Sequence, residues 1–167
     1  MIRFREEDLT LLAEAQEIAE EAVHDYYAFS SRDWLRLPYD ILTLERYSWP
    51  EGLEAFAQLL ILQVPFEARN LPEARDRLYL VALNDGRILR ATGGGLPGLL
   101  LPFLIYILTH ELIHMVRFSR FEHLPELRDF SEERWVHQIV KKVLAGVKIK
   151  NLDRVMVRFD RLYLNTN

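Results

Sequence analysis

The stretch that decides the fold is PFLIYILTHELIHMVRF, residues 102–118, in which nearly every side chain is apolar. The strongly polar residues within it are His110, Glu111, His114 and Arg117. At about 100° per residue, these four side chains fall within about a third of the circumference of a helix. The stretch therefore predicts a buried helix, over about residues 102–118, that carries one polar stripe.

The polar stripe contains the sequence HELIH, residues 110–114, which matches the pattern HExxH. Residues four apart on a helix lie one above the other, so His110 and His114 can present their imidazoles to one metal ion. Glu111 is offset by one position, and we expect it to take a proton from a metal-bound water instead of binding the ion. Imidazole and carboxylate ligands suit Zn²⁺, which binds them at about 2.0 to 2.2 Å. The motif predicts a zinc site with Glu111 as the catalytic base.

The same stripe has a structural interpretation that needs no metal. The two histidines could be hydrogen-bonded core residues, and Glu111 could pair with Arg117 further along the same side of the helix. That interpretation explains each polar residue separately but leaves their shared stripe a coincidence. The metal site is therefore the favoured prediction.

Composition limits the classes of protein to which the chain can belong. Its 167 residues and 50% hydrophobic content predict one domain, residues 1–167, with a single core. A net charge of −4 argues against a nucleic-acid partner, because such proteins need a basic surface to displace phosphate counterions. The chain has no cysteine, so disulfides, thiolate ligands and thiol nucleophiles are excluded, and His, Asp or Glu must hold any metal.

Two segments bear on the location of the protein. The N-terminal residues MIRFREEDLT turn acidic before an apolar run develops, so we expect no secretory signal and a cytoplasmic location. The apolar stretch Leu96–Leu108 is shorter than the roughly 18 to 20 residues of a membrane span and is interrupted by prolines. We therefore predict no membrane span.

Periodicity and turn signals predict the elements around the motif helix. Apolar residues at helical spacing predict helices over about Leu9–Phe29, Glu51–Leu62 and Ser131–Ala145. The segment Arg77–Ala91, with the turn signal NDG inside it, predicts a β-hairpin, and alternation over about Val155–Leu164 predicts a terminal strand. The expected fold class is α+β, with helices packed on a small sheet or hairpin.

The sequence HELIH on a buried helix, after a predicted strand pair, resembles the zincin metallopeptidases. The specific overlap covers only the motif, with looser similarity across about residues 77–147. In zincins, an active-site helix lies under a sheet whose edge strand binds extended substrate. The resemblance thus implies a zincin-like fold, a zinc ion and a peptide or protein substrate. The metzincin branch does not fit, because the positions of its glycine and third histidine hold Arg117 and Arg120 here.

The gluzincin branch of that family, which includes thermolysin, takes its third zinc ligand as a glutamate from a following helix. Here the segment FSEERWVHQIV, residues 130–140, supplies Glu132 and Glu133 about twenty residues after the motif. Glu132 has an alternative role as the return arm of a capping box opened by Asp129. The gluzincin resemblance therefore implies Glu133 as the third zinc ligand.

Other residues could also reach the ion. His137 shares a shoulder of its helix with Glu133 at a spacing of four, so it is expected to hydrogen-bond Glu133 or Glu111, or to be a ligand itself. Glu122 and His123, just after the motif helix, remain alternative ligands.

The favoured function is a zinc-dependent metallopeptidase in which Glu111 activates a zinc-bound water to hydrolyse peptide bonds. One alternative is a non-catalytic protein with a zincin-like fold that binds a metal or a partner. A second is a carboxylate-bridged di-iron helical protein, because Glu21 and His24 repeat the Glu-x-x-His spacing of Glu111 and His114. In that case Glu111 would be a metal ligand.

Overall fold

The computed structural model describes residues 2–63, 77–93, 98–120 and 129–163. In chain order, these contain α1 (Glu6–Tyr27), α2 (Ser31–Leu35), β1 (Tyr39–Leu42), β2 (Ala57–Gln63), β3 (Arg77–Leu83), α3 (Asp85–Gly93), α4 (Leu100–Ser119), α5 (Phe130–Leu144) and α6 (Leu152–Tyr163). The mixture of helices with a small sheet confirms the expected α+β class.

The three strands form one sheet with β3 in the middle. Strand β1 pairs with β3 in parallel, and β2 pairs with it in an antiparallel manner, with Leu59 opposite Val81 and Ala57 opposite Leu83. These four side chains are buried, and α4 contacts both β2 and β3. The apolar run of β3 is explained by its central position, because a central strand has neighbours on both edges.

Helix α4 is the centre of the core. It contacts α1, α3, α5 and α6 as well as two strands, so its side chains are buried around nearly the whole circumference. Among the described residues, α4 is the one helix long and apolar enough to cross a membrane, and 83% of its most apolar stretch is buried inside the protein. Its apolar composition is therefore accounted for by its position in the core.

Helices α1 and α5 confirm two sequence predictions and pack against α4. Three of the residues that helix α1 buries are alanines, and small side chains allow two helices to approach closely. The buried residues, at helical spacing, are Leu12, Ala15, Ala19, Ala22 and Val23. Helix α5 begins after Asp129, whose carboxylate accepts a hydrogen bond from the backbone N–H of Glu132 at 3.0 Å. This cap fixes the start of the helix that carries Glu133.

The predicted helix over Glu51–Leu62 is wrong, because the second half of that segment is the strand β2. The segment ends in the short apolar run LLIL, residues 59–62, and a run of that length does not distinguish a strand from a buried helix by periodicity. Pairing with β3 decides its conformation.

The predicted hairpin over Arg77–Ala91 is wrong in its second half. The side chain of Asn84 accepts a hydrogen bond from the backbone N–H of Arg87 at 3.1 Å, and α3 follows in place of a second strand. The turn residues therefore begin a helix, since asparagine and aspartate favour helix starts as well as hairpin turns.

The predicted terminal strand over Val155–Leu164 is also wrong in the described part, where the chain forms α6. Leu152, Val155 and Phe159 are buried, and their spacing of three and four is that of a helix face. Polar residues between them imitate the alternation of a strand. Leu164 lies outside the described residues.

Asp85 connects three parts of the chain. Its side chain is buried, and its two carboxylate oxygens accept backbone hydrogen bonds from Phe4 and Leu44, each at 3.1 Å. We expect Asp85→Ala to lower the free energy of unfolding by about 2 to 4 kcal/mol, because it leaves two N–H donors without their charged acceptor. Urea denaturation measures this, with Asn84→Ala as the control, for which the loss of a helix cap costs about 1 kcal/mol. Equal effects of the two substitutions would contradict this role of Asp85.

Candidate metal centre

Three side chains from two helices meet at one point. His110 and His114 lie one turn apart on α4, and Glu133 approaches them from the first turn of α5. The Nε2 atom of His110 lies 2.9 Å from Oε2 of Glu133 and 3.2 Å from Nε2 of His114. The Nε2 atom of His114 lies 3.4 Å from Oε1 of Glu133. These three residues form a group that could hold a metal ion.

The separations of the donor atoms suit a small tetrahedral ion. Bonds of about 2.0 to 2.1 Å place the ligand atoms of such an ion about 3.3 Å apart. The two imidazole nitrogens lie 3.2 Å apart, and the two oxygens of Glu133 lie 2.9 Å from the nitrogen of His110 and 3.4 Å from that of His114. The donor set of two imidazoles and one carboxylate is also one that zinc accepts in catalytic sites.

Proton positions give a second reason to place a cation here. The Nε2 atom of His110 faces both a carboxylate oxygen and the Nε2 atom of His114. A neutral imidazole nitrogen carries either one hydrogen or one lone pair: a hydrogen on His110 would have to be shared between Glu133 and His114, and a lone pair would face the carboxylate without a proton between them. A cation between the three atoms uses a lone pair from each of them. The residues present therefore fit a metal ion.

Glu132 lies beside the ring nitrogen of His114 that is not part of the group. Its Oε1 lies 3.7 Å from Nδ1 of His114, and its carboxylate binds the guanidinium of Arg117 through two hydrogen bonds of 2.8 and 2.9 Å. At 3.7 Å this contact is electrostatic and not a hydrogen bond, and a negative charge on this side of the ring favours the tautomer that has its hydrogen on Nδ1 and Nε2 free for a metal. Arg117 thus pairs with Glu132, whereas the structural interpretation of the stripe paired it with Glu111.

We expect Glu132→Gln to weaken metal binding by about 10- to 100-fold, the usual effect of losing a carboxylate behind a ligating histidine. The glutamine keeps the size of the side chain but loses the charge that faces His114. Competition with a chromogenic zinc chelator measures the affinity, and Glu21→Gln, on the exposed side of α1, serves as the control. An affinity unchanged from the control would show that Glu132 acts only in the fold.

A cavity of about 870 Å³ opens beside the centre. Glu111, which is 3% exposed, lines it together with His110 and Glu133. Residues 53–58, which lead into and begin strand β2, form another part of the wall. Within the described sheet β2 is an edge strand, so the cavity joins a candidate metal site, a carboxylate and a sheet edge.

His137 does not take the partners expected from the sequence. It is fully buried, and its two ring nitrogens contact the hydroxyl of Tyr106 at 2.6 Å and the carboxylate of Asp160 at 2.8 Å. Lys141 donates to both oxygens of that carboxylate at 2.9 and 3.1 Å. His137 therefore connects α4 with α6 through Tyr106 and Asp160.

The protonation states of Tyr106, His137 and Asp160 follow from their burial and their hydrogen bonds. Burial lowers the pKa of His137, against the effect of Asp160, so the ring is neutral near pH 7. Burial opposes ionisation of Asp160, but hydrogen bonds from Lys141 and His137 outweigh it and lower the pKa of that carboxyl. Burial raises the pKa of Tyr106 well above its usual range. Nε2–H of His137 therefore donates to Asp160, and the hydroxyl of Tyr106 donates to Nδ1.

Sequence reasoning missed the contribution of α6 to the site. Tyr163 stacks on the ring of His110 at 6.0 Å between centroids, and Phe159 stacks on Tyr106 at 3.7 Å. Both residues line the cavity. Their spacing of four, which places two aromatic side chains on one face of a helix, was the signal that could have found them.

Of the remaining candidate ligands, those within the described residues are not part of this group. Glu122 and His123 lie outside the described residues. On α1, Glu21 is exposed and His24 contacts Asp25 at 3.3 Å. Within the described ranges, the group of His110, His114 and Glu133 is the one that could hold a metal, so the di-iron alternative has no support there.

Comparisons with protein-family models, with curated proteins and with solved structures find no match to this chain.

Proposed function

We propose that the protein is a zinc-dependent peptidase. The observation that carries the proposal is the meeting of His110, His114 and Glu133 at the wall of a cavity that Glu111 also lines. Two histidines and one glutamate are the protein ligands of one group of catalytic zinc sites. The resemblance of HELIH to the zincins supports the same reading.

The chemistry of such a site divides between the ion and the protein. A zinc ion supplies a water of lowered pKa and polarises the carbonyl of the substrate. Glu111 takes one proton of the attacking water, whose oxygen forms a bond to the carbonyl carbon. The carbon–nitrogen bond then breaks, and Glu111 returns the proton to the leaving amine. One water is consumed for each bond cleaved.

Two features of the cavity favour a peptide as substrate. Its volume of about 870 Å³ is in the range of pockets that enclose small ligands or a few residues of a chain. Its wall includes the start of β2, an edge strand of the described sheet, and extended peptides bind to sheet edges through main-chain hydrogen bonds.

A structural metal site is the second candidate, and the burial of the two histidines favours it. His114 is fully buried and His110 is 5% exposed, as expected of an ion enclosed by protein. A structural zinc has four protein ligands, whereas a catalytic one keeps a place for water. A crystal structure of the zinc-loaded protein distinguishes four protein ligands from three with one water.

Hydrolysis in ¹⁸O-labelled water tests the proposed reaction. Zinc-loaded protein is incubated with a mixture of synthetic peptides, and the products are identified by mass spectrometry. We expect new C-terminal carboxylates that carry one ¹⁸O, and we expect them to disappear when zinc is removed and to return when it is restored. A His110→Ala variant purified in the same way controls for contaminating peptidases. If the variant cleaves the peptides as well as the parent protein does, the proposal is wrong.

A further inference from the structure

Outside the candidate metal centre, the wall of the cavity carries more positive than negative charge. Three arginines line it, Arg87 from α3 and Arg158 and Arg161 from α6. Three glutamates also line it, but Glu111 and Glu133 belong to the metal centre, where a divalent ion would offset their charge. The rest of the wall then has three guanidinium groups and one carboxylate.

That last carboxylate, Glu54, does not neutralise the arginines. It lies 3.6 Å from Arg87, but its side chain is 83% exposed, and exposed ion pairs of this kind contribute little. The Nε atom of Arg87 is buried and has no hydrogen-bond partner among the described residues. The side-chain amide oxygen of Gln58, also on the cavity wall, is in the same situation. Both groups thus have unused hydrogen-bonding capacity beside the cavity.

Aromatic rings hold two of the arginines in place. The guanidinium of Arg87 lies over the ring of Phe56 at 5.3 Å, and that of Arg158 lies over Phe103 at 5.4 Å. These two rings contact each other edge to face at 5.0 Å. Arg158 also donates to the backbone oxygen of Ala91 at 3.0 Å. A stacked guanidinium group loses less conformational freedom when it binds an anion, so the entropic cost of binding one is lower for Arg87 and Arg158.

A chain of ring contacts connects these arginines with the metal centre. Phe103 contacts Phe159, Phe159 stacks on Tyr106, and Tyr106 contacts His110, with centroid separations of 5.5, 3.7 and 6.0 Å. An anionic group bound at the arginines would therefore belong to a part of the substrate a few residues away from the bond that is cleaved.

We propose that this cavity selects substrates that carry a carboxylate, and that Arg87 and Arg158 bind it. Guanidinium groups bind carboxylates through paired, charge-assisted hydrogen bonds. The identification of the ligand as a substrate rests on the proposed peptidase function, whereas the binding itself does not. The carboxylate belongs to an aspartate or glutamate side chain or to the C-terminus of a peptide, and binding measurements with matched peptides distinguish these two sources.

The test measures binding to zinc-loaded Glu111→Gln protein, full length, so that peptides are not consumed. The probes are fluorescein-labelled alanine hexapeptide amides in which one glutamate is moved through the positions, and matching peptides with glutamine. Fluorescence anisotropy gives the dissociation constants. We expect the best glutamate peptide to bind at least about tenfold more tightly than its glutamine counterpart, the scale of one hydrogen bond to a charged group.

Arginine variants in the same background locate the binding site. Arg87→Gln and Arg158→Gln are each expected to remove most of the preference for glutamate. Arg90→Gln, an exposed arginine one turn further along α3, removes the same charge outside the cavity and is expected to keep the preference. Circular dichroism and thermal unfolding establish that each variant is folded. If the Arg87 and Arg90 variants behave alike, Arg87 does not bind the carboxylate.

The source of the carboxylate is decided by a second pair of probes, the glutamine peptides with a free C-terminal acid or with an amide. Tighter binding of the acid alone assigns the site to the C-terminus, and tighter binding of the glutamate peptides assigns it to a side chain. Equal binding of all three classes, the glutamate amides, the glutamine amides and the glutamine acids, overturns the inference even if the wild-type protein cleaves peptides. A preference for carboxylates without any cleavage supports the inference and contradicts the peptidase.

Discussion

Replacing Glu111 with glutamine is expected to reduce peptide hydrolysis by at least about a hundredfold, the lower scale for loss of a general base. Glutamine has the size of glutamate but cannot take a proton from water. Because Glu111 is not one of the three grouped donors, the zinc content and the stability are expected to stay unchanged. The ratio kcat/KM and the zinc content per chain are measured on the same preparation.

The matched control for this experiment is Glu133→Gln, the same substitution at the predicted ligand. It is expected to weaken zinc binding, and its activity should recover in part at high zinc concentration, unlike that of Glu111→Gln. If Glu111→Gln empties the site, Glu111 is a ligand and the peptidase mechanism is wrong.

Removing either histidine of the motif is expected to release the metal. His110→Ala and His114→Ala each delete one ligand, and the loss of zinc affinity should exceed the roughly 10- to 100-fold that follows removal of an outer partner. Zinc binding also stabilises the folded chain, so both variants are expected to lose the rise in Tm that zinc gives the wild-type protein. Chelator competition and thermal unfolding measure the two effects.

The identity of the third ligand is tested by comparing Glu133→Ala with His137→Ala. Glu133 lies 2.9 Å from His110, whereas the ring nitrogens of His137 contact Tyr106 and Asp160. We therefore expect Glu133→Ala to weaken zinc binding strongly and His137→Ala to affect mainly stability. If zinc affinity survives Glu133→Ala and collapses in His137→Ala, the assignment of Glu133 is wrong.

The helices that build the site could be predicted from the sequence because their information is local. The apolar stretch of α4 and the capped, periodic face of α5 require no knowledge of what they pack against. Strand β2 and helix α6 could not be predicted in this way. A short apolar run and a helix with polar residues between its buried positions become distinct only when their neighbours are known.

In the candidate site, too, a contact within one helix could be predicted from the sequence, whereas contacts between helices could not be predicted from local patterns. His110 and His114 are brought together by one turn of a single helix, so their spacing alone predicted that they meet. Glu133 reaches them from a second helix, so no local spacing could predict the meeting, and only the resemblance to the gluzincins implied it. The contact of His137 with Asp160 depends on the docking of α6, a segment for which the sequence pattern predicts a strand. The sequence therefore did not predict the partners that His137 has in the structure.

The most direct test of the central claim is the metal content of the wild-type protein. The protein is purified without added metal, then supplied with zinc and separated from unbound metal by gel filtration, and elemental analysis is performed at both stages. The arrangement of His110, His114 and Glu133 predicts about one zinc per chain after loading. A folded protein that retains no zinc after loading would contradict the metal centre, and two iron atoms per chain in the purified protein would favour the di-iron alternative.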